Sequence, residues 1–134
     1  MKLPLQRLAG WLALGAGLLD FSTGLGLAFV PERALPLLGV PVPGTEALIW
    51  LRWVGAFVWA VGASYLLALV LGGAMRLRAV LESTLPFRLA TGIFGTVALT
   101  QGWLAPAWAG VPLADFGLLT AQLWLLRRWA LAAV

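Results

Sequence analysis

The sequence predicts an all-α integral membrane protein, a single four-helix transmembrane bundle over residues 1–134 with both termini in the cytoplasm. Three observations carry this. Hydrophobic residues make up 62% of the chain and charged residues 10%, against about 45–50% and about 25% in soluble domains. Four apolar windows, near residues 7–29, 46–71, 85–105 and 112–131, approach the length of about 20 residues that a helix needs to cross a bilayer. Basic residues gather at the ends of these windows, mostly on one side.

Each window is bounded by breakers or charge. The first ends at Phe29-Val30-Pro31-Glu32, and its length and Asp20 distinguish it from a cleaved leader, although Lys2 and Arg7 precede an apolar run. The loop from Pro31 to Gly44 holds four prolines, Pro31, Pro36, Pro41 and Pro43. Between them, residues 32–40 have the makings of a short interfacial helix, tucked under headgroups or lying as a lid over the outer mouth. The second window opens after Pro43-Gly44 with Thr45 as N-cap and fades at Gly72-Gly73. The third starts near Pro86, where a proline in the first turn loses no helical hydrogen bond, and stops before Pro106. The fourth follows Pro112 and is short, with Asp115 and Arg127 near opposite interfaces.

Arginine and lysine counting sets the orientation. Lys2, Arg7, Arg76, Arg78, Arg88, Arg127 and Arg128 fall on one side, and Arg33 and Arg52 on the other, accounting for all nine. Seven against two places the N-terminus, the second loop and the C-terminus inside. Trp11, Trp124 and Trp129 mark the inner interface, Trp50, Trp53, Trp103 and Trp108 the outer one, and Trp59 lies deep. The predicted location is the inner (cytoplasmic) membrane. The charge balance of +4 is explained by this topology, so no nucleic-acid partner is expected.

Composition also excludes chemistry. The chain has no cysteine and no histidine, which removes thiolate catalysis, iron–sulfur ligation, the commonest general base and the usual zinc and haem ligands. Lys2 is the one lysine, so an intramembrane Schiff base is excluded. No catalytic residue, metal site or cofactor is expected.

Within lipid, helices associate through small residues that let backbones approach. Gly10, Ala13, Gly17, Asp20 and Gly24 form one stripe of the first window, and Arg52, Gly55, Trp59 and Gly62 one of the second. Arg88, Thr91, Gly95, Ala98 and Gly102 form a third. Glycines seven apart fit a left-handed seam.

Ionisable groups inside spans are functional candidates. Asp20 lies nine residues from the end of its window, about 14 Å, and Arg52 enters from the same outer side. An Asp20–Arg52 contact is expected. Three readings compete: Arg52 snorkelling to phosphate while Asp20 bonds to Ser22, Thr23 or a neighbour, a structural pair, or a wet cavity for a polar headgroup, quinone or ion. Asp115 and Gln122, seven apart, share a helix face, and Gln122 needs a hydrogen-bond partner. Asp20, Arg52, Gln122, Trp59 and Glu46 are the candidate ligand-binding residues.

The run Glu46-Ala47-Leu48-Ile49-Trp50-Leu51-Arg52-Trp53-Val54-Gly55-Ala56-Phe57 is followed by Gly62-Ala63-Ser64-Tyr65-Leu66. Asp115-Phe116-Gly117-Leu118, Gln122 and Arg127-Arg128 follow further on. Together these are similar to small bacterial four-helix membrane proteins near the DoxX-like and EXPERA-like groups. The DoxX-like resemblance implies a small subunit linked to quinone or thiosulfate oxidation. The EXPERA-like resemblance implies no isomerase activity here, because the intramembrane histidine is missing. The expected function is a non-enzymatic membrane protein that binds a lipid or quinone-like ligand in its outer half or serves a larger complex. Its expected partners are membrane lipid, other membrane subunits or further copies of itself. The alternative is small-solute or proton-coupled transport with Asp20 as the titrating group.

Overall fold

In a computed structural model, which describes residues 2–131, the chain is all-α. The helices are α1 (Lys2–Phe29), α2 (Pro31–Leu37), α3 (Thr45–Leu71), α4 (Ala74–Ser83), α5 (Leu85–Thr100) and α6 (Gly110–Leu131), with a 3₁₀ turn at Pro106–Ala109 before α6. Three stretches are long and apolar enough to cross a membrane: Pro4–Phe29, Thr45–Leu71 and Pro106–Leu131. Helix α5 has 16 residues, about 24 Å at 1.5 Å per residue, shorter than a bilayer core of about 30 Å.

The third apolar window therefore behaves differently from its expectation as a span over residues 85–105. The polar segment before it, read from sequence as part of an inner loop, is helix α4. Its face of Leu77, Val80, Leu81 and Thr84 is buried at the three- and four-residue spacing of a helix stripe. Arg76, Arg78 and Glu82 point outward, and Arg78 Nε donates to Glu82 Oε1 at 2.7 Å. Helices α4 and α5 run nearly end to end: the Thr84 amide bonds to Val80 O at 3.2 Å and the Arg88 amide to Thr84 O at 3.1 Å. Pro86 has no N–H to continue the ladder, and the Thr84 hydroxyl donates back to Val80 O at 2.8 Å. Both features bend a helix at such a junction.

Helices α1 and α3 are antiparallel and meet backbone to backbone. A Cβ built on Gly24 falls 2.2 Å from Trp59 N, one on Gly55 falls 2.5 Å from Ala28 N, and one on Gly62 falls 2.2 Å from Phe21 N. No side chain fits there, so these glycines fix both the distance and the register of the pair. Helices α5 and α6 form the second antiparallel pair, Gly92 facing the Phe116 ring and Gly95 facing Pro112. At one end α4 joins the two pairs: Ala9, Ala13, Ala16, Tyr65, Ala68, Leu77, Val80, Leu81 and Leu125 form one buried cluster.

The proline-rich loop is short helix α2, begun by buried Pro31. It ends in a Schellman motif, in which Gly39, at φ +72°, donates to Pro36 O at 3.0 Å and Val40 to Leu35 O at 2.9 Å. Leu35 and Val40 then pack with Leu27 as a second small core beside Trp108. Gly102 (φ +71°) closes α5 in the same way, with Trp103 bonded to Ala98 O and Gly102 to Leu99 O.

Replacing Gly62 by alanine drives a methyl into the Phe21 backbone and is expected to destabilise the protein by about 1–3 kcal/mol. Gly15→Ala, where nothing lies within 4 Å, should change stability by less than about 0.5 kcal/mol. Reversible unfolding in mixed micelles measures both, and equal effects would refute the backbone seam.

Candidate functional site

The polar interior is assembled from four helices. Arg88, one turn into α5 but fourteen residues beyond the start of α4, sits near the middle of the joined α4–α5 rod and is 2% exposed. Its Nη1 donates to Asp115 Oδ1 at 2.8 Å and to Asp20 Oδ1 at 3.2 Å, and its Nη2 donates to Asp20 Oδ2. The guanidinium thus grips Asp20 with both prongs and Asp115 with one, the fork geometry that arginine alone offers a carboxylate. Both acids are more than nine-tenths buried. With all three groups ionised, the cluster holds two negative charges and one positive.

A second network adjoins it. The Tyr65 hydroxyl and Thr84 Oγ1 are 2.7 Å apart, and Gln122 Nε2 donates to the Tyr65 hydroxyl and, at 3.1 Å, to Thr84 Oγ1. Tyr65, Thr84 and Gln122 are all buried. The Arg88 guanidinium carbon lies 5.8 Å from the centre of the Tyr65 ring, within cation–π range, so the two networks meet across Tyr65. Among the described residues, Arg88 Nε and Gln122 Oε1 are buried side-chain atoms with no hydrogen-bond partner. One is a donor and the other an acceptor.

The expected Asp20–Arg52 contact does not form. Arg52 turns outward to the end of α1, where Nη1 donates to Ala28 O at 3.1 Å and Phe29 O at 2.9 Å, and Nη2 donates to Glu32 Oε1 at 2.7 Å. The carbonyls at a helix C-terminus lack internal partners and carry partial negative charge, so Arg52 caps α1 and ties α2 to it. Asp20 faces the opposite way because the glycine seam rotates its side of α1 toward α5 and α6.

Of the other candidates, Gln122 lies in the buried network. Trp59 presents its backbone to Gly24 and its ring to Phe21, centroids 6.0 Å apart, while 39% exposed. Glu46 is exposed in the first turn of α3. The five candidate residues therefore do not converge on one outer pocket. Asp115, expected as an interface acid facing water, is buried on the stripe it shares with Gln122, and Arg88, expected at the inner interface, is the centre of the cluster. Sequence reasoning missed Tyr65 and Thr84 as partners of Gln122. The seven-residue spacing of Asp115 and Gln122 was the usable signal for that face.

The chemistry available is that of fixed charge and hydrogen bonding. Each buried hydroxyl is bonded to another side chain or a carbonyl, and among the described residues no group of histidine, cysteine or acidic side chains is placed to hold a metal ion.

Truncating Arg88 to alanine leaves two carboxylates facing each other in the interior and is expected to cost about 3–5 kcal/mol. The triple change Asp20→Asn, Arg88→Met, Asp115→Asn, which removes all three charges, should recover much of that loss in the same unfolding assay. A triple variant no more stable than Arg88→Ala would argue against charge as the cause. At the corner between α1 and α2, a hydrogen bond from its own backbone amide, together with the Arg52 hydrogen bond and charge, holds the Glu32 carboxyl below the usual carboxylate range. A depressed carboxyl stabilises the fold at neutral pH, and that contribution disappears as pH falls through its lowered value. A fluorophore on Leu37→Cys should therefore gain mobility in acid, and the acid transition should vanish in Glu32→Gln.

No protein-family model matches the chain, and neither the curated proteins nor the solved structures contain a match to it.

Proposed function

We propose that the chain is a non-enzymatic integral membrane protein that crosses the cytoplasmic membrane four times, through α1, α3, the joined α4–α5 rod and α6, with both termini inside. It acts by holding lipid, a quinone-like molecule or partner helices rather than by transforming a substrate. The observation that carries this reading is the inverted distribution of polarity. Asp20, Arg88, Asp115 and Gln122 are inside, while Trp11, Trp50, Trp53, Trp103, Phe57 and Phe94 are all more than half exposed. In water that arrangement is unfavourable twice over. In hydrocarbon it is the favourable one, because lipid solvates the aromatic exterior and the protein must satisfy its own charges.

The 27 residues of Ala74–Thr100 span about 40 Å at 1.5 Å per residue, ample for a bilayer where α5 alone is short. Moving Arg88 from the interface to the core leaves six basic residues (Lys2, Arg7, Arg76, Arg78, Arg127, Arg128) against two (Arg33, Arg52), and the positive-inside bias persists. The surplus carboxylate in the cluster favours a second reading, proton-coupled transport with Asp20 as the titrating group.

The cysteine-free sequence allows direct tests. A membrane-impermeant maleimide applied to intact cells should label Val42→Cys and Trp103→Cys and spare Met75→Cys until the membrane is opened. Labelling of Met75→Cys from outside would overturn the topology. Native mass spectrometry from a mild detergent should retain lipid, quinone or partner subunits at fixed stoichiometry, and a bare chain would overturn the binding function. For transport, Asp20→Asn should abolish proton-driven flux in liposomes, and unchanged flux eliminates that mechanism.

A further inference from the structure

A cavity of about 330 Å³ opens where the first turns of α1, the end of α3 and the start of α4 meet, well away from the charged core. We infer that it is a binding site for the phosphate of an anionic membrane lipid, with the start of an acyl chain beneath. The inference rests on the membrane reading above and names a ligand class for a site that reading leaves unassigned.

The lining divides into two parts. Ala68, Leu69 and Leu77 give it an apolar floor, and Gln6 and Arg7 supply donors on the α1 side. None of the residues lining it is acidic. The room exists because three positions lack side chains. A Cβ at Gly10 would touch only Leu69, at 4.0 Å, and at Gly72 and Gly73 it would meet nothing. Gly72 and Gly73, at φ +69° and +94°, adopt conformations that side-chain-bearing residues rarely take, and they turn the chain sharply from α3 into α4.

That turn leaves the ten-residue helix α4 with glycine at its N-cap and no side-chain cap. The first α4 amide bonded within the chain is that of Leu77, to Gly73 O at 3.2 Å, so the amides of the preceding turn remain available next to Gly73, which itself lines the cavity. An anion is favoured at such a terminus. The neighbouring cations do not line it: Arg76 Nη1 donates to Leu71 O at 2.8 Å and Arg78 is paired with Glu82. Arg7 is the charge that lines the cavity. A cationic rim over an apolar floor at the cytoplasmic face matches a molecule with an anionic head and a hydrocarbon body. A free phosphate ion would use the rim and leave the floor empty.

The test uses the full chain, delipidated in dodecylmaltoside and titrated with fluorescent phosphatidylglycerol, with phosphatidylcholine and inorganic phosphate as the other arms. The expected result is one saturable phosphatidylglycerol per chain. Phosphatidylcholine should bind at least about tenfold more weakly, and inorganic phosphate should displace the lipid only at far higher concentration. Arg7→Gln should weaken phosphatidylglycerol about fivefold, the contribution of one basic side chain near an acidic membrane surface, and Gly10→Leu should abolish the site by filling it. Arg78→Gln removes an equal charge outside the cavity and should leave binding unchanged. Equal losses in Arg7→Gln and Arg78→Gln, no preference for the anionic headgroup, or phosphate binding as tightly as lipid would each overturn the assignment. The maleimide labelling pattern is read on the same variants: correct insertion without lipid preference refutes the site alone, whereas failed insertion refutes the membrane reading.

Discussion

A guanidinium remains charged in any protein interior, and removing it from water costs several kcal/mol unless its hydrogen bonds are met with good geometry. Arg88 imposes that requirement on the centre of this molecule. One carboxylate engages both of its terminal nitrogens, a second engages one, and an aromatic ring lies beside it. These partners come from α1, α6 and α3, while Arg88 belongs to α5. A sliding or rotation of α1, α5 or α6 by a single residue would strand a charge. A misregistered leucine on the apolar exterior strands no polar group, so in this chain the polar cluster, rather than the apolar surface, discriminates between alternative packings. A buried ion network of this kind contributes more to choosing one arrangement than to net stability, since well-packed apolar replacements can match or exceed it energetically.

The glycine seam is the second half of the same device. Gly24, Gly55 and Gly62 place the backbones of α1 and α3 in direct contact, which fixes the rotation of α1 about its axis. With Gly17 and Gly24 turned to α3, Asp20 flanks the seam and its carboxylate reaches toward α5 and α6. The Thr84–Pro86 junction performs the corresponding task for Arg88. It lets the amphipathic α4 cover the cluster of Ala9, Ala13, Tyr65 and Leu125 while α5 carries Arg88 to Asp20. Small residues and a bend set the geometry, and charge rewards only that geometry.

This division explains what was legible in the sequence. The limits of α1, α3 and α6 were readable because oil and breakers alternate clearly, and the α2 segment because prolines and Gly39 bracket it. The glycine stripes were readable from spacing alone. Helix α4 was hidden by composition. Arg76, Arg78 and Glu82 make its ten residues look like a loop, although Leu77, Val80, Leu81 and Thr84 already carry the period of a buried stripe. That error displaced Arg88 to an interface, and Asp20 was then matched to Arg52, the remaining arginine at a comparable depth. Estimates from residue counts fail when two helices are joined, because the count starts at the wrong residue: Arg88 is in the first turn of α5 but fourteen residues beyond the start of α4. The choice of Arg52 also overlooked a closer claim on it, the uncapped carbonyls of Ala28 and Phe29 at the end of α1.

The two arginines therefore differ in the freedom their positions leave them. Arg52 is partly exposed, joins a helix terminus to Glu32 and can exchange those bonds for water or a headgroup at small cost, as surface pairs generally can. Arg88 has no such freedom, because every competing partner must first cross the protein. Charged groups that remain within reach of solvent lie at the two ends, where Arg52 and Glu32 meet at one and Arg7 borders a cavity at the other. Arg88 Nε and Gln122 Oε1 are the two buried side-chain atoms, among the described residues, that this packing leaves without a partner. Each lacks the compensation that a buried donor or acceptor needs, so the cluster trades full satisfaction of its polar atoms for the double grip on Asp20 and the single bond to Asp115.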